Sequence, residues 1–127
     1  MRKVINTEKA PSAIGSYSQA IEAGQMIYLS GQIPMDPATM ALVEGDASKQ
    51  VAQIFENIKT VLLAANSSLD EVVKLTVYLT QLSDVTAVNE EIARYFKQPF
   101  PARTTIQVTA LPKNATVEIE AIAVRHL

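Results

Sequence analysis

The longest amphipathic segment runs from Asp46 to Ala65, where Val51, Ile54, Phe55, Ile58, Val61, Leu62 and Ala65 recur at helical spacing. Asp46 is placed to cap its start, and Asn66 to take the left-handed position at its end. Residues 72–80 alternate instead, with Val73, Leu75, Val77 and Leu79 on one side, the pattern of a half-buried strand. A second helix is predicted from Asp84 to Phe96, capped by Ser83 and burying Val85, Val88, Ile92, Tyr95 and Phe96. Pro99 and Pro101 forbid its continuation. β-formers at 25–33 stop at Pro34, shorter strands are expected near 3–6 and 17–20, and the last two strands at 103–109 and 116–124. Leu111-Pro112-Lys113-Asn114 reads as a hairpin connection between that final pair.

Alternation in the expected hairpin makes a prediction about chemistry. The first strand carries Arg103, Thr105, Gln107 and Thr109 on one face and Thr104, Ile106 and Val108 on the other. The second sets Val117, Ile119, Ala121 and Ala123 against Thr116, Glu118 and Glu120. Matching the apolar faces places Arg103, Thr105 and Gln107 on the same side as Glu118 and Glu120, because a one-residue slip would bury the acids. A guanidinium fork that grips a small carboxylate beside an acid that accepts a proton from water is suited to hydrolysis of a small acidic substrate. Ile122 and Val124 share that polar face, and an apolar patch beside an ionic cluster suggests contact with another subunit.

Composition narrows the field further. The 127 residues are 48% hydrophobic, enough for a core, and fit one domain, 1–127. The net charge is -2 and the basic residues are scattered, so nucleic acid is not an expected partner. Without cysteine there is no disulfide, thiolate zinc site or cysteine nucleophile, and the one histidine, His126, has no companion for a metal and reads as an exposed tail residue. The N-terminal residues lack an apolar signal core, and no apolar run has the length of a membrane span, so a cytoplasmic protein with no membrane partner is expected.

Five segments, in order, resemble the Rid family (RidA/YjgF, also L-PSP), the reactive-intermediate deaminases. They are Ala10-Pro11-Ser12-Ala13-Ile14-Gly15-Ser16-Tyr17-Ser18-Gln19-Ala20, Ser30-Gly31-Gln32-Ile33-Pro34, Asn89 in the second helix, Phe100-Pro101-Ala102-Arg103, and residues 117–124. The resemblance implies an α+β, chorismate-mutase-like fold with a mixed sheet covered on one face by two helices, assembled as a homotrimer with sites between subunits. It implies hydrolysis of 2-imino or enamine acids such as 2-aminoacrylate to 2-oxo acids and ammonia, with no metal or cofactor. By the same resemblance Arg103 holds the substrate carboxylate and Glu118 handles water. Tyr17, Ser30, Gly31, Asn89 and Thr105 complete the substrate-binding set. Binding of small carboxylates without catalysis, and an endoribonuclease or translation-inhibitor role, are the other activities such a chain allows. Ser16, Met40 and Thr105 depart from the family pattern, where proline, glycine and cysteine are usual, so substrate preference is the property the resemblance leaves open. Of the remaining polar candidates, Glu120 reads as structural and Tyr28 as a core aromatic.

Overall fold

The computed structural model describes residues 1–125, and His126 lies outside them. One helix organises the rest: α1 (Ala47–Ala64) buries Val51, Ile54, Phe55, Ile58, Val61 and Leu62 on one side. Its entry and exit follow from the sequence. Asp46 accepts a hydrogen bond from the Lys49 amide at 2.9 Å, and Asn66 adopts φ 57° just beyond the last turn. The helix lies on a sheet built from β1 (Arg2–Ile5), β2 (Ala20–Ala23), β3 (Met26–Gln32), β4 (Val72–Leu79), β5 (Ala102–Gln107) and β6 (Val117–Val124). A second helix, α2 (Val85–Tyr95), packs beside α1, where Phe55 meets Tyr95 and Phe96 with ring centroids 5.4 and 5.2 Å apart. Leu75, Val77, Leu79, Ile119 and Ile27 supply the sheet's half of the core. The architecture is α+β: one mixed six-stranded sheet and two helices.

The strand order is β1-β2-β3-β6-β4-β5, which corrects the expected final hairpin. β6 inserts antiparallel between β3 and β4, while β5 pairs parallel with β4 at the sheet edge after the α2 crossover. The reason lies in burial. β6 alternates buried and half-buried residues along its whole length and fits the sheet's centre, whereas β5 buries none of its residues and is tolerated only at an edge. The residues 112–114 form a short 3-10 turn, with Lys113 and Asn114 both at positive φ, that leads to a distant partner.

Three smaller expectations also change. A register shift between Val72 and Lys74 turns Val72 inward and leaves Val73 42% exposed, because the extra residue of a bulge moves the preceding side chain to the other face. A 3-10 turn at Leu82–Asp84 precedes α2, so Ser83 caps nothing, and Glu91 joins the buried stripe with its carboxylate 3.0 Å from the Arg94 guanidinium. β2 begins only at Ala20, which leaves Tyr17 and Ser18 in a loop.

Candidate active site

In a sheet, side chains of register partners share a face. β5 runs Leu75↔Arg103, Val77↔Thr105 and Leu79↔Gln107 against β4, and β6 runs Tyr78↔Glu118 and Thr76↔Glu120. Leu75, Val77 and Leu79 point to the helices. Arg103, Thr105 and Gln107 therefore lie on the helix side, and Glu118 and Glu120 on the open side. This overturns the shared face expected for them. Matching apolar faces presupposed that β5 and β6 were neighbours, and at an edge strand neither face is covered enough to dictate register. Ile106 is exposed on the open side instead.

The Glu118 half of the site is a cleft of about 300 Å³ whose lining includes Tyr17, Gly31, Ile33, Pro112, Lys113 and Glu118. Its wall from the N-terminal loop is pinned by Gln19, buried at the start of β2. The Gln19 side chain accepts from the Thr7 amide at 2.7 Å and donates to the carbonyls of Thr7 and Pro11 at 3.0 and 2.9 Å. Tyr17 is 53% exposed, and its hydroxyl accepts from the Ile14 amide at 3.3 Å. Ser30 borders this region in β3 but is engaged structurally, since its hydroxyl donates to the Ser18 carbonyl at 2.6 Å. Gly31 lies under Glu118: a Cβ there would come within 2.9 Å of the Glu118 Cδ. Glu118 is half-buried and accepts no hydrogen bond among the described residues. Burial, and secondarily the charge of Glu120, push its pKa above the ordinary carboxylate value.

The Arg103 half lies around the far edge, in a cleft of about 470 Å³ lined by Leu75, Asn89, Ile92, Ala93, Phe100, Pro101 and Arg103. Arg103 Nη1 donates to Asn89 Oδ1 at 2.7 Å, so the helix residue steers the guanidinium while its other donors stay open. Two residues along β5, the Thr105 hydroxyl is buried without a hydrogen-bond partner, which leaves a donor unspent beside Arg103. Tyr28 is not a core aromatic: it is 47% exposed on the open face. The sequence pattern missed the Tyr78 hydroxyl, which donates to Glu120 from across β4 and β6. The alternation of β4 carried a signal for it, since Tyr78 falls on the polar side with Thr76 and Lys74. Among the described residues no group of three or more His, Cys, Asp or Glu is arranged to hold a metal, and no helix is long and apolar enough to cross a membrane.

Comparison with known proteins places this geometry in context. Protein DfrA of Myxococcus xanthus is 52% identical over 125 residues, covering 97% of this chain and 95% of that protein. The 2-iminobutanoate/2-iminopropanoate deaminase of Bos taurus is 49% identical over 125 residues, covering 98% and 91% of the two chains. The crystal structure of RidA from Psychrobacter sp. PAMC 21119 superposes with a TM-score of 0.93 at 49% identity, covering 96% of this chain and 98% of that one. With the Endoribonuclease L-PSP family model matching residues 7–125, strands β2 to β6, both clefts and the residues that line them fall inside one family, and the chain belongs to the Rid/YjgF/L-PSP family.

Proposed function

We propose that this chain hydrolyses 2-imino and enamine acids, such as 2-aminoacrylate, to 2-oxo acids and ammonia, in clefts between the subunits of a homotrimer. Arg103 of one copy meets Glu118 of the next. The observation that carries the reading is the division of the site: an oriented guanidinium on one face of the sheet and a half-buried, unbonded carboxylate on the other. Neither half suffices for hydrolysis. Two copies packed with the β5 edge of one against the open face of the other, where Tyr28 is exposed, bring the halves together.

In the joined cleft the substrate carboxylate takes the free donors of Arg103. Tyr17 and the small Gly31 leave room for the imine carbon near Glu118. Water adds to that carbon as Glu118 accepts its proton and passes it to nitrogen; the new hydroxyl then gives up its own proton, which reaches nitrogen in turn, and ammonia leaves as the C–N bond breaks and the C=O bond forms. An enamine enters the same path once its terminal carbon takes a proton to give the imine.

Ribonuclease activity, named in the family's description, is the less supported reading. A chain of net charge -2 neutralises few phosphates. The deciding experiment measures ammonia and 2-oxo acid release from freshly generated 2-aminoacrylate. We expect turnover by the unaltered protein and its loss in both Arg103→Ala and Glu118→Gln. A protein that binds 2-oxo acids without accelerating release is a carboxylate-binding module, and that result sinks the deaminase reading.

A further inference from the structure

β6 presents two carboxylates, Glu118 and Glu120, two residues apart on the open face, and the fold treats them differently. Glu120 accepts a hydrogen bond from the Tyr78 hydroxyl, which reaches it diagonally because Tyr78 is the register partner of Glu118. Glu118 lies against Gly31 and has no donor among the described residues. A donor stabilises the anion it touches, and a fixed negative charge makes a neighbouring acid keep its proton longer. Two carboxylates in such unequal surroundings separate into a resident anion and a proton carrier. The shifts agree in direction. Glu118 is pushed up by burial and then by Glu120, and Tyr78, bonded to Glu120, is pushed up to about 12, so its hydroxyl remains a donor through the neutral range.

We propose that Glu120 is a positioning residue for Glu118: the Tyr78 hydroxyl fixes the Glu120 carboxylate in place beside Glu118, and that fixed neighbour makes Glu118 a stronger base. The inference rests on the reading of Glu118 as the group that handles water. Other charged or titratable side chains facing the pair are Tyr17 and Lys113, which line the Glu118 cleft, Lys74 of β4, engaged with the Thr104 hydroxyl at 3.0 Å, Tyr28 of β3 and Arg2 of β1. None of these bonds either carboxylate. In the proposed assembly the partner subunit's Arg103 is a further cation, so the measurement belongs on the assembled protein.

The test is a carbon-13 NMR titration of the side-chain carboxyls without substrate, assigned with Glu118→Gln and Glu120→Gln. In the unaltered protein Glu118 is expected to titrate above the ordinary carboxylate value. Glu120→Gln should lower the Glu118 midpoint by about one pH unit, and Tyr78→Phe, which frees Glu120 from its fixed place, should lower it by less. The acid limb of kcat/KM should move with the Glu118 midpoint while affinity for a 2-oxo acid stays the same. A Glu118 that titrates at or below the ordinary carboxylate value overturns the proposal on the unaltered protein alone, even if both variants fail to fold. So does a Glu118 midpoint unmoved by Glu120→Gln. If the titrations behave as expected and no 2-imino acid is hydrolysed, the pairing stands and the deaminase reading fails.

Discussion

Arg103 and Glu118 occupy opposite faces of the same sheet, the arginine on edge strand β5 and the glutamate on central strand β6. Complementation tests what that separation implies. Arg103→Ala and Glu118→Gln should each be nearly inactive as pure proteins. Refolded together in equal amounts, they should recover about a quarter of unaltered activity if the proposed homotrimer holds, because three quarters of random trimers are mixed and each mixed trimer has one intact site in three. Mixing that restores nothing would place both residues of a working site in one chain or remove one of them from it.

Asn89 orients the guanidinium by accepting from Arg103 Nη1. Replacing it by Ala removes one hydrogen bond to a charged group, a loss of about 1.5 to 3 kcal/mol in kcat/KM, or roughly 10- to 150-fold, dominated by KM. Asn89 is exposed, so thermal stability should change little. Steady-state kinetics beside a melting curve check both halves.

At Gly31 the crowding atom is the end of a flexible side chain. Gly31→Ala should push the Glu118 carboxylate aside without disturbing the strand, and lower kcat about 100-fold, the scale of a misplaced general base. A variant that melts like the unaltered protein and turns over at full rate would show that Glu118 has no fixed place in the reaction.

The raised pKa of Glu118 also has a sign in stability. An acid whose folded value lies above its unfolded one binds more protons when folded, so its ionisation destabilises the fold as pH rises from the ordinary 4.5 toward the folded value, and the penalty then stays constant. Glu118→Gln should therefore match the unaltered protein near pH 4 and exceed it at pH 7 to 8. Denaturation midpoints measured across that range decide it; a variant less stable at pH 7 gives the carboxylate a structural role instead.

Much of this was legible from residue order alone, and the failures share a cause. α1 was readable because its stripe, its Asp46 cap and its Asn66 exit are local and agree with one another. The family segments identified Arg103 and Glu118 without their geometry. Which faces they occupy depends on the insertion of β6 between strands more than thirty-five residues away, a choice made by competition for the sheet's centre and invisible to alternation within β5. The inward turn of Val72 likewise depends on a bulge against β6. Tyr78 and Glu120 meet only because of that same placement.

The position of β6 bears on how the chain is made. Residues 117–124 are synthesised after both strands they join, so on the ribosome β3 and β4 wait with unpaired edges facing each other across an empty lane. Until that lane is filled, both edges are open to strands of other nascent chains, and the long sequence separation of the pairing makes the wait slow. A chain interrupted between Gln107 and Val117 would present two half-sheets, each a ready template for aggregation.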